Sequence, residues 1–251
     1  MKRIDSVKNE HVKRWKKLHT KKGRDTSGRF LVEGFHLVEE AIKAEMTVEY
    51  ILMIEDIILP SSLSMKDQDV IVVSEQVMKE LSETQTPQGI AAICIIPTEP
   101  TVDKLTGQYL LLDRIQDPGN LGTMIRTADA AGLTGIILGE GSVDVFNSKV
   151  IRATQGSIFH LPVIKGDLET WIDRLLDSSI PVFGTALKEA SSYTAIEPQS
   201  QFALIMGNEG EGVSESLLQK TNHNIYIPIY GQAESLNVSV AAGILLYYLK
   251  G

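Results

Sequence analysis

LLLDRIQDPGNLGTMIRTADAAG, residues 110–132, decides the fold of this chain. The apolar run from Tyr109 to Leu112 gives way to Pro118-Gly119-Asn120, after which Leu121, Met124, Ile125 and Ala128 recur at helical spacing. A short strand that is apolar on both faces and leads through a turn into a helix is the building unit of a parallel sheet covered by helices. The same rhythm continues downstream. Strands are expected at 109–112, 135–138, 181–185, 202–206 and 225–229, and helices at 120–131, 146–155, 168–177, 214–220 and 236–249. Ligands of such sheets bind beyond the carboxyl ends of the strands. Three segments cross those ends and are expected to converge there: 110–132, FALIMGNEGEGVS (202–214) and IYIPIYGQAESLNVSVAAGILLYYL (225–249).

Each segment has an ordinary reading. Asn120 is placed to cap the helix that follows it, Asp117 reads as a turn residue, and Arg126, off the apolar stripe, reads as a solvated arginine. Gly207-Asn208-Glu209-Gly210-Glu211-Gly212 has glycines enough for a sharp turn and close approach to a ligand, and a tight surface turn would need no more. It is neither a P-loop nor the dinucleotide fingerprint, and its two carboxylates repel phosphate, so a neutral or cationic ligand fits better. Pro228 removes a sheet donor, so regular pairing is expected to end near it. Ser235 or Asn237 is placed to cap the helix over 238–249. That helix is apolar around most of its circumference and needs burial on more than one side, at a subunit interface or in a central core.

In order, spacing and wording these segments resemble the three motifs of the SPOUT superfamily of RNA methyltransferases, in its SpoU/TrmH branch. The resemblance implies transfer of a methyl group from S-adenosyl-L-methionine to a ribose 2'-hydroxyl, on a parallel-sheet domain with a trefoil knot that packs as a homodimer. It assigns catalytic roles to Arg126, Asn120, Glu209, Ser235 and Asn237, and cofactor contacts to Thr185, Gly207, Ile227 and Leu236. A guanidinium stays protonated, so Arg126 is expected to clamp a phosphate and stabilise the incipient alkoxide while phosphate or water takes the proton. Two other functions remain open: a non-catalytic RNA-binding or ribosome-assembly factor on the same scaffold, and a nucleotide-dependent oxidoreductase, which the absent fingerprint disfavours.

Upstream, the chain changes character. Residues 1–29 hold eleven Lys/Arg against three Asp/Glu, a charge of +8 in a chain of −8, so the rest carries −16. Concentrated positive charge on an acidic protein attracts polyanions. This segment reads as a basic arm, helical in part, with a narrow apolar stripe of Val12, Trp15 and Leu18. Lys13, Arg14, Lys17 and Arg24 are its expected RNA contacts. Strand and helix patterns then alternate over 30–96, implying a small α/β layer, and PTEPTVDKLTG (97–107) reads as a linker before the domain at 108–251. Ser6, Asn9, Lys13, Arg24 and FLVEG (30–34) also resemble the SpoU branch, where this position commonly holds a ribosomal-protein-like substrate-binding domain. That favours ribosomal over transfer RNA.

Other classes find little support. With 43% hydrophobic and 22% charged residues the chain reads as soluble and cytoplasmic, with neither an apolar run of membrane-spanning length nor the apolar stretch of a secretory signal. A single cysteine, Cys94, excludes a disulfide framework within one chain and reads as inert core. The five histidines are scattered, so no metal site is expected.

Overall fold

The computed structural model describes residues 2–55, 57, 69–98 and 104–251. Its chain divides into two units, Met1–Thr98 with Phe146–Phe159, and Glu99–Val145 with His160–Gly251. Of the expected linker, residues 99–103 lie outside the described residues.

In chain order the first unit contains β1 (Lys2–Ile4), α1 (Glu10–Lys16), α2 (Lys21–Ser27), β2 (Arg29–Glu33), α3 (Phe35–Lys43), β3 (Val48–Met53), β4 (Asp69–Val73), α4 (Glu75–Leu81) and β5 (Ile90–Ile95). The strands form one mixed sheet in the order β1-β4-β3-β5-β2. Alternation along its strands sorts the side chains between two cores. Leu31, Leu52, Ile71 and Ile93 pack with Val12, Trp15, Leu18 and Val77. Phe30, Val32, Ile51 and Cys94 pack on the other side with Leu37, Val38 and Ile151. Cys94 is fully buried, and burial pushes its thiol up to about 12.

The basic segment is therefore not an arm. Lys2, Arg3 and Ile4 pair in parallel with Ile71, Val72 and Val73, and the apolar stripe of Val12, Trp15 and Leu18 is core rather than a solvated ridge. Burying a tryptophan and three aliphatic side chains outweighs leaving a charged terminus free in water. The helical segment expected at 146–155 also belongs to this unit, because Ile151 joins its second core and the Phe146 ring lies 4.7 Å from that of Phe30.

The second unit contains β6 (Gln108–Leu112), α5 (Pro118–Ala130) and β7 (Gly135–Leu138). After α6 (Ser148–Thr154), which packs in the first unit, follow β8 (Val163–Lys165), α7 (Leu168–Asp177), β9 (Val182–Thr185), β10 (Ser191–Ser192), β11 (Phe202–Met206), α8 (Glu215–Leu218), β12 (His223–Tyr226) and α9 (Val238–Lys250). All pairings in this sheet are parallel, in the order β10-β12-β9-β11-β6-β7-β8. One face buries Leu111, Ile137 and Ile205 against Trp171, Ile172 and Leu175 of α7. Toward the other face, α5 packs against α9, with Leu121, Met124 and Ile125 of one and Leu245, Leu246 and Leu249 of the other buried. The last long strand stops at Tyr226, three residues short of its expected end, because Pro228 has no N–H to continue the ladder.

This order puts β12, β9, β11 and β6 side by side, with their carboxyl ends at Tyr226, Thr185, Met206 and Leu112 on one edge of the sheet.

Candidate functional site

At that edge the three segments meet through side chains. Glu209 leaves the loop after β11 and reaches the turn after β6. One carboxylate oxygen accepts from the Asp117 N–H at 3.0 Å and from Asn120 Nδ2 at 3.1 Å, and the other accepts from the Gln116 N–H at 3.1 Å. Asn120 Oδ1 in turn accepts from Asn237 Nδ2 at 2.9 Å. Asn237 Oδ1 accepts from the N–H groups of Ser239 at 2.9 Å and Val240 at 3.4 Å, capping α9. The direction of this chain is fixed from both ends, since a carboxylate only accepts and helix N–H groups only donate, which leaves one orientation for each amide.

The capping of α5 differs from the sequence expectation. Asp117 is the cap, its carboxylate accepting from the Asn120 N–H at 2.8 Å, with Pro118 in the first helical turn. Asn120, freed from that task, spends both ends of its amide on the other two segments. Burial alone would raise the Glu209 carboxyl, but the donors from Asp117, Asn120 and Gln116 outweigh it and hold it below the usual carboxylate range. Glu209 therefore stands charged at the helix N-terminus, where the macrodipole favours an anion.

The glycine loop is closed on itself. Asn208 and Gly212 exchange backbone hydrogen bonds of 3.1 and 2.9 Å, and a Cβ on Gly207 would lie 2.1 Å from backbone atoms of Gly212 and Val213. No side chain fits there, so the requirement for glycine at 207 is steric. Asn208 Oδ1 also accepts from the N–H groups of Gly210 and Glu211. Thr185 ends the strand beside this loop, its Oγ1 donating to the Ile205 carbonyl at 3.0 Å. Ile227 is half-buried, and Ser235 and Leu236 are exposed in the segment leading to Asn237. A backbone-lined edge with an anionic loop and apolar side chains suits a cationic donor with an apolar body better than a polyphosphate.

Arg126 is not part of the bonded chain. It sits eight residues into α5, about two helical turns or ~12 Å beyond Pro118, exposed and without a partner among the described residues. Of the expected RNA contacts, Arg14 and Lys17 are exposed, and like Lys21 and Lys22 their side chains make no hydrogen bond or ion pair among the described residues, though Arg14 and Lys17 lie near enough to Glu10 to act on it electrostatically. Lys13 pairs with Glu10 at 2.7 Å. Arg24 is a correction: it is 3% exposed and its guanidinium donates to the Leu18 carbonyl at 2.7 Å, a structural duty that removes it from any RNA surface. No group of side chains able to hold a metal ion occurs among the described residues, and no described helix is long and apolar enough to cross a membrane. Sequence reading missed Asp113, Arg114, Gln116 and Asn208, whose contacts become visible only when β6 and β11 stand side by side.

Comparison with known proteins identifies the family. The SpoU rRNA Methylase family model matches residues 107–247, and an MRM3-like substrate binding domain matches residues 9–92. The chain is 51% identical over 251 residues to the 23S rRNA (guanosine(2553)-2'-O)-methyltransferase RlmP of Bacillus subtilis, with all of both chains covered. A putative TrmH family tRNA/rRNA methyltransferase of Staphylococcus aureus is 35% identical, covering 86% of this chain and 94% of its own. Among solved structures, an AdoMet-bound rRNA methyltransferase from Sinorhizobium meliloti superposes with a TM-score of 0.86 at 31% identity, covering 99% of this chain and 97% of its own. AviRb, a SpoU methyltransferase from Streptomyces viridochromogenes in complex with AdoMet, superposes at 0.85 and 26% identity, covering 96% and 97%. With three motifs bonded to one another at one sheet edge and the family model spanning more than half its length, this chain belongs to the SpoU rRNA methylase family and is an S-adenosylmethionine-dependent RNA ribose 2'-O-methyltransferase.

Proposed function

We propose that the substrate is 23S ribosomal RNA and that the methylated group is the 2'-hydroxyl of the guanosine equivalent to the one named for the Bacillus subtilis relative. The observation that carries this reading is 51% identity running the full length of both chains, including the substrate-binding part. Ribose methylation mapped across ribosomal RNA from cells lacking the protein is expected to lose a single mark at that guanosine. Loss at another nucleotide, or none, overturns the assignment.

In the catalytic unit Thr185, Gly207, Ile227 and Leu236 would hold the donor, which would supply an electrophilic methyl on a sulfonium. Ser235 and Asn237 flank the ribose, and the Glu209–Asn120–Asn237 chain keeps the three segments in register. Arg126 carries the charge. Its planar fork clamps a substrate phosphate and stabilises the 2'-oxygen as its proton leaves to phosphate or water. Alignment and charge stabilisation supply the rate.

Arg126 completes the site in a dimer. The outer face of α9 leaves Val240, Ile244 and Tyr247 37–56% exposed at i, i+4 and i+7, an apolar stripe suited to a second copy. Because α5 packs against α9, pairing through that stripe sets Arg126 beside the interface and within reach of the partner's donor edge. The chain from β12 to α9 passes from one side of the sheet back to Asn120 after β6, a path that supports a trefoil knot. In the first unit Arg14, Lys17, Lys21 and Lys22 form the RNA-facing surface, Lys13 adding charge from its pair with Glu10. Such an enzyme works where ribosomal RNA is made, in the cytoplasm.

A further inference from the structure

Asp113 and Arg114, the two residues that follow β6, are assigned no role by the reaction, yet the whole glycine loop is tied to them. Asp113 is 5% exposed. One of its oxygens accepts from both the N–H and the Oγ of Ser214, at 2.8 and 2.7 Å, gripping the loop where α8 begins. Its other oxygen accepts from Arg114 Nε at 3.2 Å. Arg114 Nη1 donates to Glu211 at 2.6 Å, in the middle of the loop. The Arg114 carbonyl accepts from Asn208 Nδ2 at 2.9 Å, at the loop's start, and from Gln116 Nε2 at 3.1 Å. Gln116 Nε2 also donates to the Gly141 carbonyl at 2.6 Å.

Beginning, middle and end of the loop thus hang on one corner. That corner is held in an unusual conformation, since Arg114 has φ +55, in the left-handed region that side chains other than glycine seldom adopt. Non-glycine residues persist there when their surroundings over-determine them. Here the over-determination is specific: in this conformation the carbonyl faces Asn208 while the guanidinium spans Asp113 and Glu211. Glu211 is thereby engaged by Arg114, and Glu209 is left to point the other way, toward Gln116, Asp117 and Asn120.

We propose that the Asp113–Arg114 corner positions the donor loop, presetting it for S-adenosylmethionine so that binding need not order it. Asp113, Arg114, Asn208 and Ser214 are positioning residues, which touch the loop rather than the reacting atoms. The inference rests on the reading that this loop lines the donor pocket. A preformed loop shows in affinity, because ordering it on binding would be charged against the contacts made.

The test uses the full-length protein, with S-adenosylmethionine binding measured by calorimetry and methyl transfer followed with tritiated donor. Asp113→Asn keeps one acceptor for Ser214 but sets an amide against Arg114. Ser214→Ala removes the hydroxyl bond and leaves the N–H bond, and Arg114→Ala cuts the tie to Glu211 at the exposed side. Each is expected to weaken donor binding about three- to tenfold, as the net contribution of one hydrogen bond warrants, and Asp113→Ala by about tenfold or more if it folds, since it removes several at once. The KM for RNA stays unchanged. A general loss of structure would raise both constants together and lower the melting temperature in proportion, and that pattern would sink the proposal. Leu236→Ala, a surface change in the expected pocket, separates the two readings. If it weakens donor binding while the corner variants leave it unmoved, the corner is structural only and the inference is overturned. If Leu236→Ala and the corner variants all leave the donor bound as before, the pocket reading falls and takes the inference with it.

Discussion

Two residues of one helix, Asn120 and Arg126, divide the labour at the residue scale. Asn120 is used up inside the subunit, both ends of its amide bonded. Arg126 is exposed and has no partner among the described residues. Arg126→Lys keeps a positive charge and loses the planar fork. Its turnover is expected to fall about 10²–10³-fold with donor affinity nearly unchanged, on the scale of losing one charge-stabilising group. Single-turnover transfer and calorimetry read the two quantities separately. Glu209 makes a pH statement. Its folded-state carboxyl lies below its ordinary 4.5, so the stability it contributes is complete above that range and is lost as pH falls through the lowered value. Glu209→Gln is therefore expected to melt lower than the native protein by a constant margin from about pH 5.5 to 8, the margin shrinking on acidification below the usual carboxylate range. A margin that grows in acid would contradict the assigned network. Asn120 and Asn237, the cap of α9, were both legible in the sequence as polar residues beside apolar runs. Which of the two caps a helix was not, because a cap depends on where the first turn starts, and Pro118 moved that start to Asp117.

At the scale of elements, the glycine loop and α9 carry opposite lessons. Gly207 was readable as a turn residue, and the structure supplies a firmer reason: the chain folds back so closely that a Cβ meets backbone at 2.1 Å. Gly207→Ala is expected to cost about 2–4 kcal/mol in urea denaturation, since neither backbone segment can yield without breaking the loop's own hydrogen bonds. For α9 the sequence showed an apolar circumference, and the structure sorts it. Ala242, Leu245, Leu246 and Leu249 are buried within the subunit, while Val240, Ile244 and Tyr247 are left bare. Under the proposed dimer, Val240→Asp with Ile244→Asp is expected to yield a monomer by light scattering that keeps its far-ultraviolet spectrum and loses activity, because a charge buried at that seam would go uncompensated. A variant that stays dimeric would move the interface elsewhere.

For the whole molecule, charge is spread unevenly and the fold decides which part of it is usable. Eleven basic residues in the first 29 looked like one patch. Folding takes Arg24 into the core and binds Lys13, Lys16 and Arg29 to Glu10, Glu80 and Glu49. Arg3 pairs with Asp5 and Glu55 and Lys2 bonds to His11, so Lys8, Arg14, Lys17, Lys21 and Lys22 remain. Replacing Arg14 and Lys17 by Ala is expected to reduce the slope of log affinity for RNA against log salt by about 1.5, the effect of two fewer phosphate contacts, with donor binding untouched. Arg24→Ala behaves differently, lowering stability and leaving the salt slope in place. A filter-binding titration from low to moderate salt separates the two.

The sequence by itself determined the parallel α/β unit, most of its strands and helices, and the three segments at the strand ends, because hydrophobic period and turn chemistry are local properties. It also determined the family, because the motif wording is local too. Tertiary structure alone decided that the basic segment folds as strand and core helix, that residues 146–159 serve the first unit, that Asp117 rather than Asn120 caps α5, and that Asp113 and Arg114 hold the glycine loop. All but the cap depend on contacts between residues tens of positions apart, which exist only once the strands have taken their places in the sheet; the cap turns on where Pro118 lets the first turn of α5 begin.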